Sequence, residues 1–145
     1  MPDVTPLREV RLILPMASDM ELVASQTASA IANWMVMSAE RVGEVEMAVV
    51  EACINAFEHS HSPERKVDIT FRVFGAGNPE RLEIVVHDKG VGFVPASVID
   101  PQPGRKVVGG GRKRGWGLRI IQGLMDEVRI LSGSEGTTVV MSKSR

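Results

Sequence analysis

The stretch MAVVEACINAF, residues 47–57, is almost wholly apolar, yet it carries Glu51 and Asn55 four positions apart. Val42, Val45, Val49 and Ala52 recur at helical spacing, so the pattern predicts a helix over Ala39–His59 that is buried along this stretch. A four-residue step stacks Glu51 and Asn55 on one flank, and His59 continues the stripe one turn later. A carboxylate in apolar surroundings is costly unless something compensates it. Two readings follow from the residues. Either another element supplies a partner such as an arginine, or the flank is the floor of a pocket. In a pocket Glu51 can act as a base, and the Asn55 carbonyl can ligate a hard cation such as Mg²⁺.

Upstream, Arg8–Leu14 alternates, with Val10, Leu12 and Leu14 on one face, which predicts a strand ended by Pro15. Ser18 and Glu21 have the spacing of a capping box before a helix expected over Asp19–Met37, with Leu22, Ile31 and Trp34 inward. Downstream, Pro63 stops the long helix and the period changes to two. Val67, Ile69, Phe71 and Val73, then Leu82, Ile84 and Val86, predict a hairpin with one buried face around the turn at 75–80. Trp116–Glu127 reads as a third helix, with Leu118, Ile121 and Leu124 inward, and Val128–Ser132 and Thr137–Ser142 as a closing hairpin. The order is strand, two helices, two strands, a loop, a helix and two strands, which makes one domain over residues 1–145.

Two glycine motifs flank that loop. In DKGVGF (88–93), Asp88 ends a strand, where it can accept a hydrogen bond from the exocyclic amine of a base; Gly90 and Gly92 allow a tight turn close to a ligand. In RGWGL (114–118), Gly115 and Gly117 open a helix whose first N–H groups suit phosphate, beside Arg112, Lys113 and Arg114. Between the motifs, about 94–114, lies a glycine- and proline-rich segment expected to be a lid, with Arg105 and Lys106 adding charge. Neither the P-loop pattern nor the dinucleotide-binding glycine fingerprint occurs.

The 145 residues carry a net charge of −1, split as −6 over residues 1–60 and +5 over 61–145. That balance argues for a local anion site rather than a nucleic-acid-binding surface. Cys53 is the only cysteine, which excludes an intramolecular disulfide and points to a reducing compartment. No apolar run reaches the roughly 20 residues that span a bilayer. The polar start, Met1–Glu9, does not read as a signal peptide, so a cytoplasmic protein without a membrane partner is expected. His59 and His61 lack a third metal ligand in the sequence, and Met35 and Met37 are core filler or part of a partner surface.

Taken together, Glu-x-x-x-Asn on a helix, Asp-x-Gly-x-Gly after a strand, a glycine-rich lid and Gly-x-Gly-Leu at a helix start resemble the GHKL ATP-binding superfamily. The matches are Glu51/Asn55, Asp88/Gly90/Gly92 and Gly115/Gly117/Leu118. VVEACINAFEHS (49–60) and RGWGLRIIQGLMDEVRI (114–130) look like the small bacterial anti-sigma factor serine kinases within it, over about residues 8–142. The resemblance implies a two-layer α/β sandwich of the Bergerat type, with a mixed five-stranded sheet and three helices on one face. It implies ATP and Mg²⁺ as cofactors, with Glu51 as general base, Asn55 as Mg²⁺ ligand and Asp88 on the adenine amino group. Gly90 and Gly92 would pass under the nucleotide, and Arg114, Gly115, Gly117 and Leu118 would form its phosphate end. Trp116 and Val94 depart from the family's usual residues without removing a ligand. The implied partners are a sigma factor, a STAS-type anti-anti-sigma protein whose serine is phosphorylated, and a second copy in a homodimer. The alternatives are a non-catalytic ATP-binding interaction module and the regulatory kinase-like domain of a larger phosphatase or sensor.

Overall fold

The computed structural model describes residues 5–59, 64–89, 114–134 and 136–145. Eight elements follow in order: β1 (Arg8–Pro15), α1 (Met20–Trp34), α2 (Ala39–His59), β2 (Lys66–Phe74), β3 (Arg81–Asp88), α3 (Arg114–Leu124), β4 (Glu127–Gly133) and β5 (Gly136–Ser144). Of the segment expected to form the lid, about 94–114, residues 94–113 lie outside the described residues, as do Gly90 and Gly92, and Arg114 opens α3.

Period-two patterning builds the sheet. Val67, Ile69, Phe71 and Val73 of β2 and Leu82, Ile84 and Val86 of β3 are all buried on the face that meets the helices. The opposite face is polar: Glu9, Arg72 and Glu83, directly opposed across β1, β2 and β3, form a chain of ion pairs at 2.7 and 3.3 Å. The β2–β3 turn depends on Gly75, where a Cβ would stand 1.7 Å from the Asn78 carbonyl oxygen.

The two-layer architecture, five strands and three helices agree with expectation. The sheet, expected to be mixed, is instead antiparallel at every ladder, in the order β1-β2-β3-β5-β4. β3 and β4 do run in the same sense, because the connection through α3 crosses over the sheet. That crossover skips one position, and β5 hairpins back into the gap between them.

The α2 bounds match the expected ones. Ser38 caps it by accepting the Arg41 N–H at 3.2 Å. Helix α1 departs from expectation at both ends. Its N-cap is Asp19, in the left-handed region and with no side-chain cap bond, so the Ser18–Glu21 capping box does not form. It stops at Trp34 rather than Met37, because Met37 N–H turns back to Ala32 O and Val36 N–H to Asn33 O. Leu22 and Trp34, expected inward, are 50% and 48% exposed. The buried face is instead Ala24, Ser25, Ala28 and Ala32, small residues that let α1 lie close on α2. Helix α3 is shifted towards the N-terminus from the expected 116–127, with Leu118 and Ile121 wholly buried. No helix among the described residues is long and apolar enough to cross a membrane.

Candidate active site

The α2 stretch at 47–57 is less uniformly buried than its composition suggests. Met47 is 56% exposed and Glu51 is half-buried, whereas Asn55 is only 5% exposed. The helical step explains the order. At about 100° per residue, Asn55 lies closer than Glu51 to the buried stripe of Ala48, Ala52 and Ala56. Glu51 therefore stands at the rim of this flank, and Asn55 within it. Both keep the shared flank that their spacing required. Glu51 is engaged by neighbouring groups.

Strand β3 carries Asp88 to the same end of the sandwich. Asp88 has the parity of Leu82, Ile84 and Val86, so it faces the helices, and it is 6% exposed. In the ladders it stands opposite Val67, the second residue of β2, and Thr137, the second residue of β5. Because β2 begins a few residues after α2 ends, with Arg65 Nη2 donating to the Phe57 carbonyl at 3.4 Å, Asp88 and Asn55 belong to one end of the molecule. Thr137 is buried there, 5% exposed, on the helix-facing side. Sequence reasoning passed over it. A threonine beside a turn carries no functional signal until the register sets it against Asp88.

The position of α3 is settled at its far end. Lys143 of β5 shares the parity of Val139 and Met141, faces inward and is 5% exposed. Its ammonium donates to the Leu124 carbonyl, at the end of α3, and pairs with Glu44 of α2 at 3.2 Å. The C-terminus of α3 therefore lies beside the start of α2, and because α3 packs along α2 rather than running off its start, the two helices run antiparallel. Glu44 is on the Glu51/Asn55 flank, eleven residues before Asn55, and α3 is itself eleven residues long. At about 1.5 Å per residue both spans are about 16 Å, so the first turn of α3 comes level with Asn55.

That first turn holds Arg114, Gly115 and Gly117, whose backbone N–H groups have no acceptors within the helix. Gly117 is buried, and Leu118 is sealed into the core, where it seats the turn. Of the residues singled out in the sequence, the fold gathers Glu51, Asn55, Asp88, Arg114, Gly115, Gly117 and Leu118 at one end. Gly90, Gly92, Arg105, Lys106, Arg112, Lys113 and His61 lie outside the described residues.

Asp88 offers an acceptor and Thr137 a hydroxyl on the sheet, Asn55 offers a buried amide, and α3 offers N–H groups at the positive end of its dipole. No group of three or more His, Cys, Asp or Glu side chains that could hold a metal ion occurs among the described residues. A cation here would take one amide oxygen from the protein and the rest from phosphate and water. That donor set fits Mg²⁺ and does not fit Zn²⁺.

Residues 16–143 match the family described as histidine kinase-like ATPase domain. The serine-protein kinase RsbW of Bacillus velezensis is 31% identical over 137 residues, covering 92% of this chain and 84% of that protein. The serine-protein kinase RsbW of Bacillus licheniformis is 36% identical over 125 residues, 81% of this chain and 73% of that one. The crystal structure of the RsbU and RsbW domains of a Mycobacterium tuberculosis protein superposes with a TM-score of 0.69 at 18% identity. It covers 97% of this chain, which spans about a third, 34%, of that longer one.

Proposed function

The chain belongs to the histidine kinase-like ATPase domain family, alongside the RsbW serine-protein kinases, and we propose that it is an ATP-dependent protein serine kinase acting as an anti-sigma factor. Its phosphoacceptor is a serine of a STAS-type anti-anti-sigma antagonist. Binding of the sigma factor alternates with binding of the antagonist, and the phosphorylation state of that serine decides between them. A homodimer is part of the same reading.

The observation that carries it is that three nearly buried polar residues, Asp88 and Thr137 opposed on the helix-facing side of the sheet and Asn55 near the end of α2, lie where α2 gives way to β2. In this reading Asp88 accepts a hydrogen bond from the adenine amino group, and the Thr137 hydroxyl completes that polar wall. Gly90 and Gly92 let the chain pass under the nucleotide. The first turn of α3, with Arg114, receives the phosphates. Asn55 holds Mg²⁺, which when bound neutralises charge on the phosphate oxygens. Glu51 takes the proton from the serine hydroxyl as its oxygen bonds to the γ-phosphorus, and ADP leaves with the bridging oxygen. Such transfer rests on positioning and charge neutralisation, which suits a site built from buried amides and backbone N–H groups.

Calorimetry with MgADP, paired with phosphotransfer to a STAS-type protein, tests the reading. Wild type should bind MgADP 1:1, and Asn55→Ala should weaken binding roughly tenfold or more. Glu51→Gln should keep MgADP affinity and lose about 10²- to 10⁴-fold in phosphotransfer. No binding by folded wild type sinks the proposal. Wild type that binds MgADP without phosphotransfer favours the non-catalytic ATP-binding interaction module, and phosphotransfer that survives Glu51→Gln removes Glu51 as the base.

A further inference from the structure

Lys143 is a cation placed where an apolar residue would be cheaper. Burying an ammonium costs more than burying a methyl group, and exchange of a buried ion pair for packed hydrophobes is often neutral or stabilising. What Lys143 gains is geometry. Its ammonium donates to the Leu124 carbonyl, pairs with the Glu44 carboxylate at 3.2 Å and lies 4.0 Å from the Asp126 carboxylate, groups from α3, α2 and the turn that follows α3. Asp126 is fixed in turn by the Ser144 N–H at 2.7 Å, which holds its carboxyl below the usual range. One side chain thus ties the C-terminal end of α3, the negative end of its dipole, to both α2 and the sheet.

The kinase reading needs the other end of that helix. The adenine wall, Asp88 and Thr137, belongs to β3 and β5, whereas the N–H groups for phosphate belong to α3 alone. Helix α3 packs mainly on α2. Leu118 and Ile121 seat it by apolar packing, which is non-directional, whereas the Lys143 contacts at its far end are directional and fix its axial register. Over a helix of about 16 Å, a rotation of about 5° at the anchored end moves the first turn by about 1.4 Å. A misplacement of about 1 Å at a reacting centre can slow the reaction by about 10²-fold, even when its cause lies far from the chemistry.

We propose that Lys143 is a positioning residue for the phosphate end of the site: with Glu44, it sets the register of α3 against α2 so that the first-turn N–H groups face the nucleotide phosphates. It does not touch the nucleotide. The inference rests on the kinase reading, and it predicts that losing the anchor affects phosphate recognition and spares adenine recognition.

The test compares adenosine with MgADP on wild type, Lys143→Met and Glu44→Gln, using NMR titration so that weak adenosine binding is measurable. Lys143→Met should leave adenosine affinity within about twofold and weaken MgADP about tenfold, with kcat falling and KM for the acceptor protein unchanged. Glu44→Gln, at a partly exposed position that should fold whatever happens to Lys143→Met, should shift the adenosine-to-MgADP ratio in the same direction by about threefold. An equal loss for both ligands would show a merely structural role and overturn the proposal, as would an unchanged ratio in Glu44→Gln. Failure of wild type to bind MgADP would count against the kinase reading instead.

Discussion

The thiol of Cys53 lies two residues from both Glu51 and Asn55 yet is fully enclosed, on the opposite side of the α2 core stripe. Burial pushes it up to about 12, with the Glu21 carboxylate adding to the effect. A neutral, sealed thiol is a packing residue rather than a nucleophile. At pH 8 the native protein should react with a thiol reagent on the order of 10³-fold more slowly than the denatured chain, from the thiolate fraction alone. Rapid stoichiometric labelling of native protein would contradict this. Linkage has the corresponding sign. Because the folded-state value is raised, the stability it contributes is fully present below the unfolded thiol's range, near 9, and is lost as pH climbs towards 12. Asn55 is a buried polar group of another kind, an amide that does not ionise and so keeps the same donor and acceptor atoms at every physiological pH.

At the scale of elements, α1 ends on a feature that its sequence does not advertise. Val36 takes φ 62°, the left-handed region, where a β-branched side chain is strained. The closing bonds from Val36 to Asn33 and from Met37 to Ala32 require that conformation, and Met37 is then buried beside Ala32. Val36 itself is 76% exposed, so removing its side chain costs little burial. Val36→Gly should therefore stabilise the protein by roughly 0.5–1 kcal/mol, the relief of strain being offset in part by the greater freedom of glycine in the unfolded chain. Urea denaturation would show a higher midpoint with an unchanged slope. A lower midpoint would mean that the Val36 side chain stabilises the fold by more than its strain costs.

Across the whole molecule, the candidate site draws on α2, β3, β5 and the start of α3, which no short segment of chain contains together. A ligand held by all four should stabilise the fold as one unit. At 100 times its dissociation constant, MgADP should add about 2.7 kcal/mol, which for a chain of this size corresponds to a rise in Tm on the order of 5–10 °C. Asp88→Asn, altered only at the sheet, and Asn55→Ala, altered only at the helix, should each reduce that rise while leaving the unliganded Tm within a few degrees. A rise that survives both substitutions would place the ligand elsewhere.

The sequence by itself determined the kinds of elements, because helix and strand periods are local: α2 matched its expected bounds, and the β2–β3 hairpin buried the residues its alternation named. It also determined that Glu51 and Asn55 share a flank, since four residues is nearly one helical turn. The alternation of β5 showed which way Thr137 and Lys143 face, but not what they face. Asp88 for Thr137, and Glu44 with Leu124 for Lys143, are partners supplied by distant parts of the chain. The same holds for the sheet. Nothing local distinguishes a strand that joins the edge from one that enters a gap, and the insertion of β5 between β3 and β4 made every ladder antiparallel. Tertiary structure decided those points because strand order and the partner of a buried charge depend on residues far apart in the chain, whereas periodicity depends only on neighbours.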